Sequence, residues 1–354
     1  MTSTSFTKQL LKWHSSIDRK LPWKKTKDPY KIWLSEIILQ QTRVEQGIPY
    51  YLRMTRLFPS VKKLAGASED RVLHAWQGLR YYSRARNLHA AARQIAFERK
   101  GKFPDTFEEI LRMKGVGQYT AAAIASFAFN LPHAAVDGNV YRVLSRAFGI
   151  TDEVSSAGAK RKFNELANQL LDRKNPGAFN QALMDFGALV CKPLNPDCEH
   201  CFFKKSCYAL KHDLVSVLPR KDKKQVIRTR WFHFLVIERD NMIAIQKRSA
   251  NDIWKGLYQF PLIEHTYPLS QAAITSLKVR AHIPGKPAFS VLSTSPQMVH
   301  KLSHQTIKAR FFKVRLKGNW RPRSSPHLLW IPRSELKKYA LPKLIVEYSK
   351  KYLA

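Results

Sequence analysis

Glu36 and Asp137 are the two carboxylates whose settings invite chemistry, and Cys191, Cys198, Cys201 and Cys207 are the chain's only thiols. Glu36 lies in Ile32-Trp-Leu-Ser-Glu-Ile-Ile-Leu-Gln-Gln41, among nearly apolar neighbours. A carboxyl withdrawn from water there ionises less readily, so it can carry a proton near neutral pH and serve as a general acid. The competing reading puts Glu36 on the exposed stripe of an amphipathic helix. Asp137 lies in Ala134-Ala-Val-Asp-Gly-Asn-Val-Tyr-Arg142. Aspartate often caps a helix N-terminus; the chemical alternative is a carboxylate facing a sugar. Two carboxylates in unlike surroundings are the usual means of breaking a glycosidic bond through an oxocarbenium-like transition state. Spacing alone does not bring the two together.

The cysteines occupy one loop, 191–207, with the pattern C-x6-C-x2-C-x5-C. Thiolates gathered this tightly indicate a metal or iron–sulfur site. Two disulfides would need an oxidising compartment, and the first residues, MTSTSFTKQLLKWH, contain no apolar export segment. Structural zinc usually pairs two C-x2–4-C knuckles, and only Cys198 and Cys201 form one. The uneven spacing favours a [4Fe–4S] cluster, with zinc the alternative.

Gly115 and Gly117, in Met113-Lys-Gly-Val-Gly-Gln-Tyr-Thr-Ala121, allow a tight turn between two helices. Such a turn leaves backbone N–H groups at the start of the second helix free to hold a phosphate. An ordinary interhelical turn is the plainer reading. The charge balance supports the phosphate: Lys+Arg 61 against Asp+Glu 26 gives +35, a balance suited to a polyanion such as DNA. With 44% hydrophobic residues the chain is a folded protein, and no apolar run approaches the ~20 residues of a membrane span. A soluble, cytoplasmic protein is expected.

These residues must be positioned by two kinds of structure. Apolar residues at three- and four-residue spacing predict helices over 29–44, 68–76, 85–99, 106–113, 120–129, 138–148, 157–171 and 179–190. The last leads into the cysteine loop. Residues 217–230 are basic, lack helical periodicity and predict a linker. Strand patterns follow over 231–238, 242–247, 306–316 and 328–331, with helices over 270–276 and 341–352. The expected protein is thus multidomain: an all-α domain over 1–216, the linker, and an α+β domain over 231–354.

The first domain resembles the helix–hairpin–helix DNA glycosylases of the endonuclease III superfamily, and the whole chain resembles the MutY family of adenine-specific mismatch DNA glycosylases. The match rests on Leu21-Pro-Trp23, Leu34-Ser-Glu-Ile-Ile-Leu-Gln-Gln-Thr42, Tyr81-Tyr-Ser-Arg-Ala-Arg-Asn87, Gly115-Val-Gly-Gln-Tyr-Thr-Ala121, Val136-Asp-Gly-Asn-Val140, Phe179-Asn-Gln-Ala-Leu-Met-Asp-Phe-Gly187 and the cysteines. In the second domain, Trp254-Lys-Gly-Leu-Tyr-Gln-Phe-Pro261 and His300-Lys-Leu-Ser-His304 resemble the Nudix-like domain of that family.

The resemblance implies a monomeric base-excision enzyme of the bacterial cytoplasm. It would act on duplex DNA and hydrolyse adenine opposite 8-oxoguanine or guanine after flipping it out of the helix. It assigns Glu36 as the general acid on adenine N7 and Asp137 as the carboxylate that stabilises or traps the sugar cation. Tyr119 and Asn139 support that site, and Gln41 and Tyr81 wedge the duplex. Ser303 and His304 contact 8-oxoguanine, and the four cysteines hold a [4Fe–4S] cluster. Tyr119 stands where lyase relatives carry a nucleophilic lysine, so a monofunctional glycosylase is expected. The chain departs from the family at Arg80, usually glycine, and at Leu302, commonly phenylalanine. It also lacks the acidic Nudix helix signature, so nucleotide hydrolysis is not expected.

Overall fold

The computed structural model describes residues 3–220, 227–275, 288–317 and 328–353. It divides into two compact units: Met1–Gly66 with Asn87–Lys223, and Ala67–Arg86 with Lys224–Ala354. In chain order the described helices are α1 (Ser3–Ser15), α2 (Pro29–Leu39), α3 (Val44–Leu57), α4 (Val61–Ala65), α5 (Glu69–Ala75), α6 (Tyr82–Arg93), α7 (Phe107–Leu111), α8 (Gln118–Phe129), α9 (Gly138–Phe148), α10 (Ala157–Leu170), α11 (Pro176–Leu189), α12 (Tyr208–Lys211), α13 (Gln271–Thr275) and α14 (Lys343–Tyr352).

Local chemistry sets the helix ends that matter here. The Asp28 side chain accepts from Tyr30 N, and Pro29 opens α2 with its φ already helical. Helix α2 then stops at Leu39, because Gln41 takes the left-handed region at φ 54°. The single helix expected over 29–44 is therefore broken, and Val44 starts a new one. Helix α8 is rich in alanine and is buried through most of its length, so it can lie close against α2. Helix α9 ends at Gly149, at φ 77°, where an added Cβ would lie 2.7 Å from the Tyr208 ring.

The core of the helical unit joins α1, α9, α10 and α11 through Phe6, Leu10, Val140, Leu144, Phe163, Phe179 and Phe186. Phe203 of the cysteine loop belongs to the same core and stacks on Phe6 at 4.5 Å. The loop is thus anchored by apolar burial, each such ring contributing on the order of 2 kcal/mol or more.

In the second unit the described strands are β1 (Arg228–Arg239), β2 (Met242–Lys247), β3 (Tyr258–Gln259), β4 (Leu262–His265), β5 (Phe289–Thr294), β6 (Met298–Lys301), β7 (Gln305–Leu316) and β8 (Leu329–Pro332). They join one mixed sheet along the path β3-β2-β1-β7-β5, with β4 on β1, β6 on β7 and β8 on β2. Strands β1 and β7 run parallel from Arg228↔Gln305 to Ile237↔Val314. The centre of β1 is buried without alternation, as a strand covered on both faces must be. On one side Tyr348 of α14 stacks on Phe311 at 3.8 Å.

Two boundaries differ from expectation. Strand β1 begins at Arg228, inside the stretch read as a linker; Arg230 is buried by ion pairs, so its charge disguised a strand position. Leu218 is also buried, and its carbonyl accepts from Arg146 Nε at 3.0 Å, which ties 217–220 to the helical unit. Residues 221–226 lie outside the described residues.

Candidate active site

Glu36 sits in the second half of α2 and is 6% exposed. Its apolar neighbours enclose it, which rejects the exposed-stripe reading. Tyr119, in the first turn of α8, donates its hydroxyl to Glu36 Oε2 at 2.7 Å. Burial is the main cause that pushes the Glu36 carboxyl up to about 7; the Tyr119 hydrogen bond opposes the rise and the nearby Asp137 charge adds to it.

Asp137 is the N-cap of α9, as the capping reading expects. Oδ1 accepts from the backbone N–H of Asn139 at 2.9 Å and of Val140 at 2.8 Å. Oδ2 accepts from Asn139 Nδ2 at 2.8 Å. Burial raises the Asp137 carboxyl, while these bonds and Arg142 act against that rise. The helix N-terminus also favours a negative charge there. Burial thus raises both carboxyls, but only Asp137 has three hydrogen-bond donors to oppose the rise, whereas Glu36 has one and is pushed up to about 7.

Glu36, Gln41, Tyr119, Asp137 and Asn139 line one cavity of about 530 Å³, with Arg19, Trp23 and Gln181 among its other walls. A second cavity, of about 290 Å³, is lined by His14, Trp23, Lys24, Glu36, Phe127 and Gln181. Glu36 faces both, so a group in either can reach it.

Several contributors went unassigned in the sequence reading. Asp185 is fully buried on α11 and pairs with Arg19 at 2.6 Å, Lys24 at 2.7 Å and His14 at 3.0 Å. Arg142 and Arg146 bind backbone carbonyls of the cysteine loop: Arg142 Nε donates to Cys191 O and Arg146 NH1 to Lys192 O. A carboxylate inside an apolar helix and two arginines on one helix were the available signals.

The hairpin glycines stand apart from this cavity. Gly115 has φ 81°, and an added Cβ there would lie 2.7 Å from Asn87 Cβ. Gly117 is the N-cap of α8 and, having no side chain, caps nothing. The next backbone N–H groups therefore point out of the helix start uncapped. The cysteines form their own group: all four line one cavity with Arg146, Phe203 and Lys204. All are free thiols, and burial pushes Cys201 up to about 11. Among the described residues, no three His, Cys, Asp or Glu side chains are close enough to clasp a single bare ion. Tyr81 and the Ser303–His304 turn belong to the second unit. Tyr81 has φ 45° and is 37% exposed, and Ser303 and His304 are exposed between β6 and β7.

Residues 34–169 match the family described as HhH-GPD superfamily base excision DNA repair protein, and residues 232–351 match the NUDIX domain. An adenine DNA glycosylase of Buchnera aphidicola subsp. Baizongia pistaciae is 34% identical over 345 residues, covering 94% of this chain and 95% of that protein. The chain belongs to the adenine DNA glycosylase family. An adenine DNA glycosylase of Rattus norvegicus is 42% identical over 215 residues, covering 58% of this chain and 42% of the rat protein. The solved structure of a thermostable thymine-DNA glycosylase superposes with a TM-score of 0.54 at 28% identity, over 59% of this chain and 97% of that one. The all-α first domain and the Nudix-like second domain are both as the sequence led one to expect.

Proposed function

We propose that this protein hydrolyses the N-glycosidic bond of adenine paired with 8-oxoguanine or guanine in duplex DNA. One observation carries the reading: a buried, proton-retaining Glu36 and a hydrogen-bonded Asp137 share one cavity. The base is turned out of the duplex so that it meets Glu36, which gives its proton to adenine N7 and makes the purine a better leaving group. As the bond breaks, positive charge grows on the sugar. The Asp137 carboxylate, held by three donors, stabilises that charge or traps it covalently. Water then completes the hydrolysis. Tyr119 holds no amine, so no Schiff base forms and the strand stays intact.

The other residues divide the binding. The uncapped hairpin at Gly115 and Gly117 takes a phosphate, and Gln41 and Tyr81 wedge the duplex. Ser303 and His304 meet the base opposite the adenine. The +35 charge supplies salt-sensitive affinity for duplex. The four cysteines suit a [4Fe–4S] cluster, since all four are free and ring one cavity lined by a cation and cysteines stand farther apart around a cluster than around one ion. Bound there, the cluster supplies a rigid cross-link for the loop. The enzyme acts as a monomer in the cytoplasm.

The test is single-turnover release of adenine from duplexes carrying it opposite 8-oxoguanine, opposite guanine and opposite thymine, run beside G·T mismatches. Adenine release opposite the first two, with no nick until alkali is added, is the expected result. Release of thymine alone would favour a second reading, which the likeness to a thymine-DNA glycosylase motivates. Glu36→Gln and Asp137→Asn should each abolish excision while duplex binding persists.

A further inference from the structure

The turn between β6 and β7 has a buried support that the roles assigned so far do not use. Arg230, at the start of β1, is 7% exposed and makes two-point contacts with Asp252, at 2.9 and 2.6 Å, and with Glu264, at 2.6 and 2.6 Å. Its NH1 also donates to Gln305 Oε1 at 3.2 Å. Gln305 is buried, at 4% exposure, and opens β7. The Gln305 Nε2 atom lies 3.0 Å from His304 Nε2, and His304 Nδ1 lies 3.3 Å from Ser303 Oγ.

The polarity of this chain of contacts is forced. A guanidinium only donates. The amide oxygen of Gln305 must therefore face Arg230, and its NH2 must face His304. That leaves His304 Nε2 only the role of acceptor, so the ring proton sits on Nδ1 and is donated to Ser303 Oγ. The serine hydroxyl then keeps its own proton and one lone pair for an incoming base edge. Two carboxylates fix the arginine, the arginine fixes the amide, and the amide fixes the ring.

We propose that Gln305 is a positioning residue: backed by Arg230, it locks His304 in the neutral Nδ1–H tautomer and thereby orients the Ser303 hydroxyl toward the base opposite the excised adenine. This rests on the reading that Ser303 and His304 meet that base. The chemistry fits the discrimination required. Guanine offers an acceptor at N7, whereas 8-oxoguanine offers a donor at N7 and an acceptor at O8. A hydroxyl with one fixed lone pair and one fixed proton distinguishes the two edges better than a freely rotating one.

The experiment uses the full-length protein labelled with 15N-histidine. Two-bond 1H–15N correlation spectra report which ring nitrogen of His304 carries the proton, with His304→Ala identifying the signals. Wild type should show Nδ1–H. Gln305→Glu, which can only accept, should turn the ring to Nε2–H, and Gln305→Leu should release it to a mixture. In both variants the ratio of adenine excision opposite 8-oxoguanine to excision opposite guanine should fall about tenfold, the scale of one directed hydrogen bond. A wild-type spectrum showing Nε2–H overturns the inference without any variant. So does an unchanged excision ratio in a folded variant whose tautomer has moved. The double substitution Ser303→Ala with His304→Ala separates the two levels. If it leaves the ratio unchanged, the assignment of the turn itself fails. If it lowers the ratio while the Gln305 variants do not, only the role of Gln305 fails.

Discussion

Arg142 Nε donates to the backbone carbonyl of Cys191 across 2.7 Å. The same guanidinium donates to Asn139 Oδ1 at 2.8 Å and to the Gly187 carbonyl at 2.7 Å. Asn139 in turn holds Asp137. One buried side chain therefore connects the support of the Asp137 carboxylate to the start of the cysteine loop, although the two lie far apart in sequence.

Substituting Arg142 should harm both ends. Arg142→Gln is too short to span these partners and leaves buried carbonyls without donors, at about 1–3 kcal/mol each. Melting should fall by several degrees, and single-turnover excision should fall at least tenfold as Asn139 loses its orientation. A variant with wild-type rate would show that Asp137 needs no support beyond the backbone.

The pH profile should report the Glu36–Tyr119 contact. Glu36 is pushed up to about 7, and only the protonated carboxyl is an acid, so excision should decline as pH rises through about 7. The Tyr119 hydroxyl stabilises the ionised carboxylate and so lowers its value. Tyr119→Phe removes that contact, and the alkaline limb should move to higher pH. The measurement is single-turnover rate from pH 5 to 9, and a limb moving the other way would contradict the geometry.

Glu36→Gln should stabilise the fold above about pH 5, with the gain growing up to about pH 7. A carboxyl raised from 4.5 to about 7 favours the folded state fully below its unfolded value. That advantage is lost as pH rises through the folded value. Above pH 8 the buried charge costs roughly 3 kcal/mol, from about 1.4 kcal/mol for each pH unit. The amide carries no such cost. Melting curves of both proteins should diverge at pH 8 and converge at pH 4.

What the sequence made legible was chemistry confined to short stretches. The cysteine spacing, the glycine hairpin and the Asp137 cap each lie within twenty residues, and local geometry follows from them. Glu36 was legible because its own neighbours are apolar. The Asp185 cluster was not: its partners His14, Arg19 and Lys24 come from the other end of the domain. Arg142 was hidden because its partners are mostly backbone carbonyls, which leave no trace in residue type. Strand β1 began earlier than expected because Arg230 is buried by partners on other strands. The break after Leu39 rests on one left-handed residue, Gln41, whose type does not announce it.

Arg80 should trade stability for DNA affinity. It takes φ 67°, where a side chain costs roughly 1–2 kcal/mol, and it makes no ion pair among the described residues. Arg80→Gly relieves the strain but gives the unfolded chain more freedom, offsetting about half of the gain. A small rise in melting temperature is expected. If the guanidinium holds a phosphate, the slope of log affinity against log salt should also drop by about one. Titrations at several salt concentrations measure it, and an unchanged slope would leave Arg80 without a contact to DNA.

Asp185→Asn should be among the most damaging single substitutions outside Glu36 and Asp137. The carboxylate is fully buried, which pushes its value up, but hydrogen bonds from His14, Lys24 and Arg19 outweigh that and hold it at about 2, against an ordinary 3.8. An amide cannot balance them, and removing one partner of a buried ion pair costs about 3–5 kcal/mol. Because Arg19 also lines the cavity of Glu36 and Asp137, excision should fall together with stability. The sign of the pH effect follows from the depressed value. The contribution of Asp185 is complete above pH 3.8 and is lost as pH falls through about 2. Wild type should therefore lose stability steeply between those values, and the variant should show a shallower acid limb. Parallel acid limbs would mean that His14, Arg19 and Lys24 find other partners when the carboxylate is gone.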